Sequence, residues 1–202
     1  MIRTLIHLWM DVKRRRSLKR LPQERVPLPK FKSIEELAEY LRVNFIYTGD
    51  ALGGLDDRYT HPEHLNYWIV KNLKDGKFGP DREWPLRVDC DDVSAFACRA
   101  AWDIHNVLEA QMFVFGYASI RAAIKDLIWR FVTTGKLYLY FHEGCLITNH
   151  EGDVFLLDTN GLKKLGNDLE DGVDERDAAK YLSKVYGVKY ETTVAVPYPF
   201  KE

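Results

Sequence analysis

The stretch from Leu137 to Asp158 limits the possible folds more than any other part of the chain. An apolar run, Leu137-Tyr138-Leu139-Tyr140-Phe141, passes through His142 into Gly144-Cys145-Leu146-Ile147-Thr148. The polar turn Asn149-His150-Glu151-Gly152-Asp153 then leads to Val154-Phe155-Leu156-Leu157 and Asp158. Two apolar runs about a polar, glycine-containing turn predict a β-hairpin. His142 opens one arm and Asp158 closes the other, so antiparallel pairing returns the two to the same end.

Helices dominate the first half of the chain. Ser33-Ile34-Glu35-Glu36 is a capping-box start for a helix to about Val43, with Ile34, Leu37 and Leu41 on one face. Residues 44–59, with Gly49, Gly53 and Gly54, read as a loop. Thr60-His61-Pro62-Glu63 opens a second helix, which Gly76 ends. A strand is expected over 112–117, a helix over 119–134 closed by Gly135, an acidic turn over 167–177, a helix over 175–186 and a last strand over 189–196. Helices first and a mostly antiparallel sheet later predict an α+β fold.

The chemistry centres on Cys90 in Val88-Asp89-Cys90-Asp91-Asp92-Val93. Val93, Phe96, Ala97, Ala100, Ala101 and Ile104 recur at helical spacing, and Asp89 is a fitting N-cap, so Cys90 falls in the first turn. Unpaired N–H groups and the macrodipole favour a thiolate there, and the same amides would hold an oxyanion. Asp89, Asp91 and Asp92 oppose this by raising the thiol's pKa, so a cationic partner is expected close by. His142 is the best placed histidine, with Asp158 to fix its tautomer. His150 competes with it but sits at the turn tip, away from Asp158. His61, His64 and His105 read as surface residues, and Cys98 and Cys145 as small core residues. The three aspartates with Asp158 also offer oxygen ligands to a hard cation, a reading that helix-start capping makes unnecessary.

These residues resemble the transglutaminase-like superfamily of papain-like folds, particularly its short bacterial and phage cysteine peptidases. Asp89-Cys90-Asp91-Asp92 with Phe96 and Ala97 is similar to the family's nucleophile motif, His142 to its catalytic histidine, and Leu157-Asp158-Thr159-Asn160 to its aspartate-bearing strand end. Trp84-Pro85 resembles the family's lead-in, and the Trp84 indole N–H is a candidate oxyanion donor. The likeness spans roughly residues 68–165. Val88 stands where the family has glycine, and the helix over 118–134 is an insertion. The resemblance implies a papain-like domain over 33–202 that performs thiol-dependent acyl transfer or amide hydrolysis on a protein or peptide through Cys90, His142 and Asp158. It also permits a non-catalytic module docking on a nucleoprotein or phage-type assembly. A cell-wall amidase of the Cys-His class is a further rival, disfavoured by the aspartate after the strand.

Composition sets the remaining bounds. At 202 residues and 46% hydrophobic content the chain supports one sizeable domain. Three irregularly spaced cysteines argue against a disulfide framework and suit a reducing cytoplasm. The first apolar stretch, Leu5 to Met10, is too short for a membrane span and has the wrong polarity for a secretory signal. The acidic turn fails the calcium-loop pattern, and neither a phosphate-binding glycine motif nor a metal-type Cys/His pairing occurs, so no cofactor is expected. Although the net charge is only −1, residues 1–32 hold ten Lys and Arg against Asp11 and Glu24. They read as a basic arm and, through Pro22, Pro27 and Pro29, a linker. Such an arm suits a polyanion or an acidic protein surface, or serves only as a solvated or self-docked terminus.

Overall fold

The hairpin forms as expected, with Cys145 opposite Leu157 and Thr148 opposite Val154. A computed structural model describes residues 2–19, 22–47, 59–74, 86–135 and 141–200. In chain order the elements are α1 (Ile2–Leu18), α2 (Ile34–Asn44), β1 (Phe45–Tyr47), α3 (Pro62–Lys74), β2 (Leu86–Val88), α4 (Cys90–Ala101), β3 (Val107–Gly116) and α5 (Ile120–Thr134). They continue with β4 (His142–Asn149), β5 (Asp153–Asp158), β6 (Gly161–Asn167), α6 (Asp168–Asp171), α7 (Glu175–Tyr186) and β7 (Thr192–Val196). The fold is α+β. One antiparallel sheet runs β6-β5-β4-β3-β7, and β1 and β2 form a small parallel pair.

Alternation along the central strands sends side chains to two cores. Cys145, Ile147 and Leu157 join Met112 and Val114 beneath the first helices, against Leu37, Ile69 and Phe96. Leu146, Leu156 and Phe115 face the other way, against Ala178 and Leu182 of α7. Burial on both faces explains why β4 and β5 read as nearly unbroken apolar runs. The first core holds α4, whose Ala95, Ala97, Ala100 and Ala101 are all buried, small side chains that let the helix sit close under the sheet.

The helix caps agree with the sequence. Ser33, Asp89 and Ser119 each accept a backbone N–H of the first turn, and Gly135 closes α5 in the left-handed conformation at φ 70°. Glu36 reaches past the N-cap to the N–H of Lys32 at 2.7 Å rather than to that of Ser33, so the capping box expected there forms only on its Ser33 side. Three strands depart from expectation. β1 lies within the expected loop, β3 begins five residues earlier than expected, and β6 follows the hairpin at once. β6 is an edge strand with exposed Lys163 and Lys164, a polar pattern that protects an edge and conceals the strand from a search for apolar alternation.

Residues 1–32 take the self-docked course rather than standing off as an arm: Ile2–Leu18 form α1, which buries Ile6, Met10, Lys13 and Ser17 and packs beside β7. Spacings of four, three and four put those four residues on one stripe. The proline segment is strapped to α3: the Val26 N–H donates to the Glu63 carbonyl at 3.0 Å and Asn66 Nδ2 to the Pro27 carbonyl at 2.7 Å. The cations do not form one exposed array. Arg14 Nε donates to the Pro199 carbonyl at 3.4 Å, and Arg15 pairs with Asp11 at 2.8 Å. Among the described residues, no helix is long and apolar enough to cross a membrane.

Candidate active site

The hairpin register delivers the histidine and the aspartate to each other. One residue beyond the Cys145–Leu157 pair, Gly144 lies beside Asp158, and His142 lies two residues further along the same face. A Cβ on Gly144 would lie 3.8 Å from the Asp158 Cβ and 2.8 Å from a Leu156 methyl, so glycine leaves the carboxylate room to lean along the strand. His142 Nε2 and Asp158 Oδ2 meet at 2.8 Å, both residues almost fully buried. A carboxylate acceptor puts the ring hydrogen on Nε2 and leaves the Nδ1 lone pair for another proton. Asn160 holds the carboxylate in place, donating its N–H to Oδ1 at 2.9 Å and its Nδ2 to Oδ2 at 3.1 Å. Tyr186 covers the pair, its ring centred 4.6 Å from the imidazole and its hydroxyl accepting Asn160 Nδ2 at 2.6 Å.

Cys90 is the first residue of α4, directly after β2 and the N-cap Asp89, whose side chain accepts the Asp92 N–H at 3.1 Å. The helix start abuts β4, and the backbone N–H of Glu143, the residue after His142, favours the thiolate. The thiolate charge also acts on Tyr186 and Tyr190. Because Tyr186 lies against His142, all three residues expected from the sequence share one neighbourhood. Cys90 is part-exposed as a residue, whereas Cys98 and Cys145 are buried. Cys98 Sγ donates to the Ala110 carbonyl at 3.4 Å and Cys145 Sγ to the Leu146 carbonyl at 3.8 Å. His150 lies exposed beyond β4, in the hairpin turn.

The electrostatics differ from a simple helix-start thiolate. Burial of the sulfur pushes the Cys90 pKa well above the ordinary thiol value, and Asp91, Glu143 and Asp89 push it further. Asp91 points inward as an ion-pair partner of Lys13. Burial is the largest influence and raises the Asp91 carboxyl, but the Lys13 charge together with hydrogen bonds from Asp89, Lys13 and the Asp91 backbone leaves its pKa lowered. Lys13 also lies 3.6 Å from Glu143, and its ammonium sits 4.5 Å from the Tyr59 ring centroid. Tyr59 donates its hydroxyl to Glu143 Oε2 at 3.1 Å. Burial, together with the Asp91 charge, raises the Asp92 carboxyl to about 8 despite a 2.6 Å bond from the Thr60 N–H.

Lys13 therefore supplies the cation that the acidic cluster demanded, and it comes from the segment read as a basic arm. The signal was its place on the stripe of Ile6, Met10 and Ser17, visible once residues 2–18 are read with a helical period. The Asp89, Asp91 and Asp92 carboxylates lie close enough to share a metal ion, with ligand atoms within 4.8 Å. Lys13 and Thr60 already engage two of them, and His142 and Asn160 occupy Asp158. Trp84 lies outside the described residues. A cavity of about 130 Å³ opens beside Asp158, lined by Leu41, Phe45, Tyr47, Val93, Thr159 and Asn160 among others. No family model matches this chain, and neither a curated protein nor a solved structure does.

Proposed function

We propose that the chain is a thiol-dependent acyl-transfer or amide-hydrolysing enzyme of transglutaminase-like, papain-like type. The observation that carries this reading is the buried 2.8 Å contact between His142 and Asp158 beside a cysteine at a helix start. His142 Nδ1 takes the Cys90 proton, Sγ attacks the carbonyl carbon of a protein or peptide amide, and Asp158 stabilises the imidazolium. The imidazolium returns its proton to the departing amine, leaving a thioester that water or a second amine resolves. The Cys90 backbone N–H is the proposed oxyanion donor. Because the thiol pKa is raised, Cys90 rests as the neutral thiol, and its proton moves as attack proceeds. Three free thiols fit a reducing compartment, and the cytoplasm is the proposed setting.

Limited iodoacetamide labelling, read by mass spectrometry in the wild type, His142→Ala and Asp158→Asn, tests the reading. Cys90 should label first, and His142→Ala should slow it by about tenfold or more, a conservative share of what a general base contributes. Asp158→Asn should fall between the two. Preferential labelling of Cys98 or Cys145, or equal Cys90 rates in the wild type and His142→Ala, overturns the assignment. With a glutamine-bearing protein and a fluorescent primary amine as probes, any transfer or ammonia release should vanish in Cys90→Ala.

A further inference from the structure

The outer face of α5 is apolar. Ile124, Ile128 and Val132 recur every fourth residue, with Trp129 and Phe131 beside them, and these five side chains are 50%, 58%, 72%, 66% and 51% exposed respectively. Ala123 is the helix's one buried residue. Among the described residues, the helix attaches through its inner side, where Ala122 and Ala123 meet the second core and Asp126 accepts the Tyr117 hydroxyl at 2.7 Å. Side chains of this size and exposure present roughly 600 Å², the upper end of what a monomer ordinarily leaves to water.

The charges on this helix run against its own dipole. Arg121 and Lys125 stand exposed near the positive N-terminal end, and no basic residue lies in the last turn, where the carbonyls are negative. An antiparallel copy of the same helix reverses this mismatch. With the two-fold axis at Ile128, the centre of the stripe, Ile124 meets Val132 of the second copy. Lys125 reaches the face of its Phe131, and Arg121 reaches its last carbonyls. Two patches together bury about 1,200 Å², the lower bound of a specific stable interface.

We propose that α5 is a homodimerisation helix, pairing antiparallel with α5 of a second copy of this chain about Ile128. The contact is isologous and closes after two subunits. It uses no residue of the Cys90 site.

Sedimentation velocity and light scattering on the full chain test this. The wild type should run at twice the 23.5 kDa of one chain. Ile128→Glu and Val132→Glu, both on the exposed face, should halve that mass with an unchanged circular dichroism spectrum, and Lys125→Glu should weaken the dimer. In a Cys90→Ala background, Ile128→Cys should form an intermolecular disulfide under mild oxidation, while cysteine placed at Arg121 should not. A wild type that stays monomeric at high micromolar concentration, or a dimer indifferent to Ile128→Glu, overturns the proposal. So does a monomer that binds phosphatidylcholine and phosphatidylglycerol vesicles through this face, which would make the occupant a membrane surface.

Discussion

Lys13 shows how much one side chain can matter at a buried site. It is 2% exposed and ion-paired to Asp91, with Glu143 within 4 Å, so removing it takes a buried cation away from two buried carboxylates. Breaking such a pair from one side costs about 3–5 kcal/mol. Lys13→Met should lose stability on that scale in urea unfolding, and Lys13→Met with Asp91→Asn should recover part of the loss. The same substitution should move the pH midpoint of Cys90 alkylation further upward, because Asp91 and Glu143 would act on the sulfur uncompensated. An unchanged midpoint would show that Lys13 serves packing alone.

At the scale of elements, α1 behaves as part of the core. Deleting residues 1–18 should lower the melting temperature sharply or prevent folding, checked by thermal unfolding and by exposure of Cys98 and Cys145 to alkylation. An arm held off by a linker would leave both readouts unchanged. The elements most legible in the sequence carry strong local signals. The hairpin shows its turn, α4 its Asp89 cap and apolar stripe, and α5 its Ser119 and Gly135 boundaries. The geometry of His142 and Asp158 follows from that hairpin, and hence half of the site was readable. α1 was hidden because its stripe includes Lys13 and Ser17, polar residues whose burial depends on partners remote in sequence. β1 and β2 are each three residues long and stabilised by each other, so neither has a local pattern to find.

For the whole molecule, the acidic cluster sets a pH dependence of stability. Asp92 is raised to about 8 in the fold, while an unfolded aspartate ionises near the ordinary carboxylate value of about 4. Below that ordinary value the group is neutral in both states and costs nothing. Between roughly pH 4 and 8 the unfolded chain releases a proton that the folded chain retains, so this group's contribution destabilises the fold as pH rises, and levels off above. Asp92→Asn keeps an acceptor for the Thr60 N–H and removes the titration. Its stability should exceed the wild type's most at pH 8 and least near pH 4, measured as denaturant midpoints across that range. A difference that does not vary with pH would place the effect in packing instead.

The docking of α1 also fixes an order of assembly. Lys13 is synthesised long before Asp91 and Glu143, and the Pro199 carbonyl that receives Arg14 comes later still. At ordinary translation rates the gap between Lys13 and Glu143 is on the order of ten seconds. During that interval the nascent helix has no sheet to lie on, although Lys13 is already present when its partner Asp91 emerges. The last strand to be made closes the sheet beside α1, and the burial that raises the Cys90 thiol is complete only with that closure.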